Sequence, residues 1–234
     1  MNQQRFLDVA QAPDLPTFER LLVAFASDLD FGIFAAAVVV DRPGTEPSFH
    51  PISNTPAGFK DASRSLEASR RDPVLKRLKR LSVPFVYDQD LYVSEGAGDL
   101  WEEQASYGYR AGVSVALHLP GNKHFLLGID RDAPLPTDEV TLIRLLAALQ
   151  LIAVHAQDAA LRLLVAHDDP MPRLTRREIE VLRWTKEGKS AWETGRLMGV
   201  TENTVNFHVR NITMKLDAMS KHQAVLKAIA LGIL

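Results

Sequence analysis

The chain contains no cysteine, and neither tryptophan nor tyrosine occurs before Tyr87. The absence of cysteine excludes disulfide frameworks, thiolate zinc sites and thiol nucleophiles. Apolar runs such as residues 33–40 are far shorter than the ~20 residues that a membrane span needs. The first residues, MNQQRFLDVAQ, lack the basic segment and apolar stretch of a signal peptide. We therefore expect a cytoplasmic protein that does not engage a membrane.

Motifs of catalysis are also missing. The chain has no G-x-S-x-G elbow and no glycine loop of the kind that cradles a phosphate. Its seven histidines are scattered, and no two of them have the H-x-x-x-H spacing of a helical metal site. We expect no enzymatic activity, no metal and no cofactor.

Charge is distributed unevenly between the two ends of the chain. Residues 171–234 hold 11 Lys/Arg and 6 Asp/Glu, a net charge of +5, whereas residues 1–170 carry a net charge of −7. Only the C-terminal part is suited to a polyanionic partner. A length of 234 residues is also comfortable for two domains.

The polar segment 167–173 contains two prolines and separates two different patterns, so we place a linker there. It divides a first domain, 1–166, from a second, 174–234. In the first domain, short β-rich runs predict strands at 33–40, 83–87, 112–119 and 124–130. Helical patterns lie at 17–29, 73–81, 100–107 and 137–164, the last with Thr137 as its expected N-cap. This indicates a sheet flanked by helices.

Capping chemistry predicts four short helices in the second domain. Three S/T-x-x-E/Q capping boxes occur, and Thr201 supplies a fourth N-cap; the boxes are Thr175 with Glu178, Ser190 with Glu193, and Ser220 with Gln223. Glycines follow three of the helices, at Gly188, Gly199 and Gly232. The second and third helices, 190–198 and 202–216, are joined by a tight turn, which is the spacing of a helix-turn-helix.

The third of these helices has two distinct faces. Residues at helical spacing predict the core, and we expect Val205, Val209, Ile212 and Leu216 to pack against Ile179, Leu182 and Leu197. The side chains left on the outer face suit base edges in the major groove of double-stranded DNA: Asn203, Asn206, Phe207 and Arg210. We expect phosphate contacts from Lys189, Thr201 and Lys215.

The stretch from Leu174 to Val225 resembles the LuxR-type domain of bacterial regulators. The resemblance rests on nine positions: Glu178, Leu182, Gly188, Thr204, Val205, His208, Asn211, Lys215 and Leu216. It implies DNA binding, adds Thr204 to the DNA-binding residues, and assigns His208 and Asn211 to holding the domain together. Gly195 departs from the family pattern, where alanine or serine is usual, and glycine lowers helix stability.

Three stretches of the first domain are similar to the autoinducer-binding domain of quorum-sensing regulators: Asp72-Pro73-Val74, residues 83–85, and residues 101–112. The resemblance implies that a small signal molecule such as an acyl-homoserine lactone is enclosed between an antiparallel sheet and helices. The expected fold class is α+β, with an N-terminal α-β-α sandwich and a C-terminal all-α domain of four helices.

Carrying the family's ligand site over gives six positions: Asp72, Phe59, Ser63, Tyr87, Trp101 and Gly112. The family's aspartate and glycine are kept, but Phe59 and Ser63 stand where its tryptophan and tyrosine donate hydrogen bonds. A lactone carbonyl without a donor would lose about 1 to 3 kcal/mol. We therefore expect a small amphipathic ligand with an N-H or O-H facing Asp72, either an acyl-homoserine lactone or a non-lactone signal.

Structural explanations exist for the same residues. Asp72 is placed to cap the helix at 73–81, and it serves both roles only if its second oxygen is free. Phe59, Tyr87 and Trp101 are equally suited to an ordinary core.

The leading hypothesis is a ligand-gated homodimer that binds a near-palindromic operator. The apolar helix at 137–164 is the candidate dimer contact, although burial within one chain explains its pattern as well. The alternatives are a ligand-independent regulator, a phosphorylation-dependent response regulator, and a protein that sequesters related regulators.

Overall fold

The structure is a computed structural model that describes residues 3–41, 46–55, 66–165 and 172–234. Its contacts divide the chain into two compact units. Most of residues 3–165 belong to the first unit, and residues 172–234 form the body of the second.

Seven helices and five strands are described in the first unit. The helices are α1 (Gln3–Ala10), α2 (Leu15–Asp28), α3 (Leu66–Arg71), α4 (Pro73–Leu78), α5 (Gln89–Ser94), α6 (Gly98–Ala105) and α7 (Glu139–Leu164). The strands are β1 (Ile33–Val40), β2 (Ser48–Ser53), β3 (Phe85–Tyr87), β4 (Ala111–Leu119) and β5 (Lys123–Arg131). The order across the sheet is β2-β1-β5-β4-β3, and neighbouring strands are antiparallel.

The sheet lies between two groups of helices. Helices α1, α2 and α7 pack against one another, and α2 and α7 contact β1. Helices α4, α5 and α6 form a second cluster with Tyr87, Ala116 and Leu126 of the sheet. Side chains alternate between the two faces of a strand, so both faces of this sheet are covered. The predicted α-β-α architecture is confirmed.

Several element boundaries differ from the prediction. Strand β2 and helices α1, α3 and α5 were not predicted from the sequence. Helix α7 is capped by Asp138, not Thr137, because the Asp138 carboxylate accepts a hydrogen bond from the Thr141 backbone N-H at 2.9 Å. Helix α2 likewise begins before residue 17, since Asp14 accepts from the Thr17 N-H at 2.8 Å.

The second unit consists of four helices, α8 (Arg176–Lys186), α9 (Ala191–Met198), α10 (Glu202–Lys215) and α11 (Lys221–Ala230). All four predicted N-caps are confirmed, and two of the capping boxes are complete. The third is not, because the Gln223 side chain accepts from the Met219 N-H and not from that of Ser220.

One predicted core residue of the second unit was wrong. Leu197 is 54% exposed, and the neighbouring Met198 is buried in its place. The inward face of α9 holds Ala191, Thr194, Gly195 and Met198, which recur at i, i+3, i+4 and i+7. Leu197 lies one position outside that stripe.

Helix α7 is apolar on more than one face. Its buried face includes Leu149, Ile152 and Ala156, none of which is exposed. A second stripe is exposed, and its large members are Val140, Ile143, Leu151 and Val154. By length and composition alone α7, a helix of 26 residues containing an 18-residue stretch with a mean hydropathy of 1.6, resembles a membrane span. Its buried face makes it a core helix of the first unit.

Candidate functional site

A row of three residues crosses the sheet of the first unit. Tyr87 on β3 pairs with Gly112 on β4, and the Tyr87 hydroxyl passes over Gly112 to donate to Asp130 Oδ1 on β5 at 2.5 Å. A Cβ on Gly112 would lie 2.7 Å from that carboxylate oxygen and would also collide with the Tyr87 hydroxyl. Glycine at position 112 therefore makes the contact between β3 and β5 possible.

Asp130 is a buried acid with few partners. Its side chain is 2% exposed, and the Tyr87 hydroxyl is its one hydrogen-bond donor among the described residues. Burial, together with the charge of Asp72, raises the pKa of Asp130 to about 7, although the hydrogen bond from Tyr87 opposes the shift. Burial also raises the pKa of Tyr87 well above its ordinary range. The Tyr87–Asp130 pair therefore lies at a poorly solvated position on the sheet, where burial favours the protonated form of both groups.

Asp72 lies in the same layer, between the sheet and α4 to α6. Its Oδ1 caps α4 by accepting from the backbone N-H groups of Val74 and Leu75, at 2.8 and 3.1 Å. Its Oδ2 accepts from Gln104 Nε2 at 3.1 Å, and the Tyr92 hydroxyl donates to Gln104 Oε1 at 2.8 Å. Burial raises the pKa of Asp72 despite these donors. The second oxygen is not free, but it retains an acceptor site beyond the bond from Gln104.

Trp101 is half-buried and packs against the cluster formed by α4, α5 and α6. Its indole N-H donates to the Arg110 carbonyl oxygen at 3.0 Å, and the Arg110 guanidinium lies 5.9 Å from the ring centroid. The indole donor is therefore already used within the chain. Trp101 contributes an aromatic surface more than a polar group.

The turn between α9 and α10 has helix-turn-helix geometry. Gly199 ends α9 in the left-handed conformation, with φ 67°, and the Val200 N-H donates to the Gly195 carbonyl at 2.9 Å. A Cβ on Gly195 would lie 2.8 Å from the Val200 carbonyl oxygen. The unusual glycine therefore lets the turn approach α9 closely, which the sequence alone did not show.

The outer face of α10 is free within its unit. Asn203, Asn206, Phe207 and Arg210 are all exposed, and the Phe207 ring is 60% exposed. On the opposite face, Val205, Ile212 and Leu216 are buried in the core of the unit. The predicted division of this helix into two faces matches its burial.

The helix ends carry the other predicted DNA-binding residues. Thr201 caps α10, accepting from the Thr204 N-H, and the two hydroxyls lie 2.9 Å apart. Lys189 is half-buried before α9. Lys215 is engaged inside the unit, because its ammonium donates to both oxygens of Glu178 at 2.8 Å.

Two family models match the chain. Residues 14–160 match the autoinducer binding domain, and residues 172–228 match the bacterial regulatory proteins of the luxR family. The first match alone covers more than half of the chain. The chain belongs to the LuxR family of bacterial regulators.

Relatives cover nearly the whole length of this LuxR-family chain. The transcriptional activator protein SolR of Ralstonia solanacearum is 31% identical over 217 residues, which are 92% of this chain and 91% of SolR. The regulatory protein SdiA of Escherichia coli is 30% identical over 217 residues, 89% of this chain and 86% of SdiA. The structure of SdiA in complex with octanoyl-rac-glycerol matches with a TM-score of 0.81 and 26% identity, covering 99% of this chain and 94% of that one.

As a LuxR-family protein, the chain is an autoinducer-responsive transcriptional regulator that binds DNA and a small molecule, and it is not an enzyme. An autoinducer-binding domain occupies the place of the receiver domain that a phosphorylation-dependent response regulator would need. Among the described residues, no group of three or more His, Cys, Asp or Glu side chains is placed to hold a metal ion.

Two of the six ligand-site positions, Phe59 and Ser63, lie outside the described residues. The other four lie around the layer between the sheet and α4 to α6. Sequence reasoning missed Asp130, Tyr92 and Gln104. For Asp130 a signal existed, because it is the one acidic residue within the otherwise apolar centre of β5, which reads FLLGID.

Proposed function

We propose that this LuxR-family protein is a homodimer that binds a palindromic operator through α10 and is gated by a small amphipathic molecule bound in its first unit. The proposal is carried by the exposed polar face of α10, set on a buried core. Because the protein acts on DNA, we place it in the cytoplasm. Its two units, which we assign to residues 1–166 and 174–234, would separate sensing from DNA binding.

The DNA-binding part of the proposal assigns roles by position. Arg210 and the two asparagines of α10 can pair with base edges, and Phe207 can contact a thymine methyl group. Lys189, Thr201 and Thr204 lie at helix ends, where phosphate contacts set the register. Lys215 would have to contact a phosphate while its ammonium is bonded to Glu178. We therefore assign it a smaller contribution to DNA binding than the other residues.

The ligand part of the proposal places the head group near Asp72, Tyr87 and Gly112, with Trp101, Phe59 and Ser63 completing the site. SdiA, which shares this fold, holds octanoyl-rac-glycerol. That ligand joins an acyl chain to a hydroxyl-bearing head, so the fold accommodates such a molecule. A signal other than an acyl-homoserine lactone is therefore as good a candidate ligand for this chain as an acyl-homoserine lactone.

The homodimer part of the proposal rests on α7. Its exposed stripe of large apolar side chains runs along much of the helix, and a second copy would cover it. Leu151→Glu should shift the protein toward monomer in sedimentation velocity, because a buried charge opposes the contact. Val93→Glu is the matched control, since Val93 is 58% exposed on α5. Equal dimerisation of both variants would contradict this interface.

One experiment tests the function. Operator affinity is measured by fluorescence anisotropy on DNA fragments selected by the protein, with N-octanoyl-homoserine lactone, with 1-octanoyl-glycerol, and without ligand. We expect one ligand to tighten binding, and Arg210→Ala to weaken it about 10- to 100-fold, in line with ~1–3 kcal/mol for a bidentate pair. Arg177→Ala is the control, because it removes the same charge from α8, where Arg177 pairs with Glu180.

Two outcomes would overturn parts of this proposal. Operator binding that is tight without ligand and unchanged by every ligand would favour the ligand-independent alternative. A protein that binds no selected DNA would favour the sequestering alternative instead.

A further inference from the structure

Two buried carboxyl groups share the layer between the sheet and α4 to α6. Asp130 is 2% exposed and Asp72 is 9% exposed. Burial and, after it, the charge of Asp72 raise the pKa of Asp130. Among the described residues, no lysine, arginine or histidine forms an ion pair with either group. Buried charges in proteins are normally paired, and no described side chain supplies a cation to this site.

The hydrogen bonds of the layer lead to the same conclusion. The Tyr87 hydroxyl donates a hydrogen bond to Asp130, and the Tyr92 hydroxyl donates a hydrogen bond to Gln104. Gln104 in turn donates to Asp72. The protons of these two tyrosine hydroxyls are therefore engaged, while the Asp130 carboxylate keeps unused acceptor sites. The layer has acceptors to offer and few donors.

The strands beneath these groups carry glycine or alanine at three positions. Gly112 and Gly128 carry no side chain, and a Cβ on Gly128 would lie 2.7 Å from Ser114 Oγ and 3.8 Å from the Tyr87 hydroxyl. Ala116 on β4 is also small. The side chains of Tyr87, Asp130 and Ser114 therefore occupy the space over these two glycines.

We propose that Asp72 and Asp130 bind the protonated amino group of an amine ligand, with the ligand's apolar part lying among the aromatic and aliphatic side chains of α4 to α6. The inference rests on the proposed ligand-gated function and names the chemical class of the signal. An ammonium group brings three donors and one positive charge to a site that has acceptors and negative charge. The neutral head of an acyl-homoserine lactone brings one N-H and otherwise only acceptors.

The test uses the full-length protein and three probes of equal chain length: 1-octylamine, 1-octanol and N-octanoyl-homoserine lactone. Binding is measured by titration calorimetry and by the shift in thermal midpoint at pH 7.5. We expect octylamine to bind the wild-type protein at least tenfold more tightly than octanol. This comparison needs no variant, so it stands even where a substitution disturbs folding.

Asp130→Asn sharpens the test, because asparagine keeps the shape and still accepts a hydrogen bond from Tyr87. We expect this variant to lose at least tenfold in octylamine affinity and to bind octanol as before. Asp132→Asn is the matched control, since Asp132 lies just beyond β5, is 74% exposed and pairs with Arg110. Its octylamine affinity should equal that of the wild type.

The amine inference is wrong if octylamine and octanol bind equally, or if Asp130→Asn binds octylamine as the wild type does. If only the lactone binds, and binds Asp130→Asn equally well, then ligand binding does not need the charge of Asp130, and the ligand-gated function survives without the amine. If none of the three probes binds, the amine inference fails, and the effect of ligand on operator affinity decides the proposed function separately.

Discussion

Glu178 and Asp130 are both acids with 2% of the side chain exposed, one in each unit, yet their surroundings are opposite. Glu178 accepts from the Lys215 ammonium at 2.8 Å and from the Thr175 backbone N-H at 2.6 Å. Burial alone would raise the pKa of Glu178, but these donors and the charge of Lys215 lower it. Asp130 has a neutral hydroxyl as its partner, and its pKa rises to about 7.

The difference indicates that the two buried acids, Glu178 and Asp130, have different roles. Glu178 joins α8 to α10 through a completed ion pair, so it holds together the core on which the exposed face of α10 stands. Among the described residues, no cation forms an ion pair with Asp130. A buried acid with its cation is a structural element, whereas a buried acid without one is a candidate binding group.

The largest expected effect concerns pH and would sharpen this comparison. The pKa of Asp130 rises from an ordinary 3.8 to about 7 on folding. As the pH rises, the unfolded chain therefore releases this proton at a lower pH than the folded protein does. The free energy of unfolding should fall as the pH rises from about 4 to about 7, by up to about 4 kcal/mol. Urea unfolding of the wild type and of Asp130→Asn across this range measures it.

The difference between those two proteins isolates Asp130 from the other carboxyl groups. Glu178 has the opposite sign, because its lowered pKa stabilises the fold above its ordinary value of 4.5 and this contribution is lost as the pH falls. Parallel curves for the wild type and Asp130→Asn would show that Asp130 titrates normally.

The second prediction breaks the ion pair of the C-terminal unit. Lys215→Met leaves Glu178 buried without its cation, and we expect a loss of about 2 to 3 kcal/mol, somewhat below a fully buried pair because Lys215 is 38% exposed. Chemical denaturation at pH 7 measures the change. Adding Glu178→Gln should restore part of the stability, and Lys186→Met, at an exposed position of α8, is the control.

The smallest expected effect is that of a single methyl group between Tyr87 and Asp130. Gly112→Ala places a Cβ against both side chains, and we expect a loss of about 2 kcal/mol from overpacking. Thermal unfolding measures it. Gly98→Ala is the comparison, because its Cβ would meet Val93 at an ordinary 3.6 Å. Equal stability of the two variants would mean that β4 moves aside easily.

The two units also differ in how far the sequence predicts them. The caps at Thr175, Ser190 and Thr201 were predicted correctly because each bond joins residues three positions apart. The error at Leu197 came from judging apolarity without the spacing of the α9 face.

In the first unit the main strands and the fold class were predicted, but the polar network was not. Gln104 reaches Asp72 across 32 positions, and such a partner leaves no local pattern. Strand β2 was missed for a related reason, because it is an edge strand with His50 and Pro51 at its centre.

The contact between Tyr87 and Asp130 has a consequence for folding. The two residues are 43 positions apart, and their bond forms only when β3, β4 and β5 are all aligned. Side chains alternate along a strand, so a slip of β3 by one residue would turn Tyr87 to the other face of the sheet. A chain with the β4–β5 hairpin formed and β3 still unpaired would carry Asp130 without its donor. The hydrogen bond therefore marks the completion of the sheet, and a loss of its register would appear first at the three-residue strand β3.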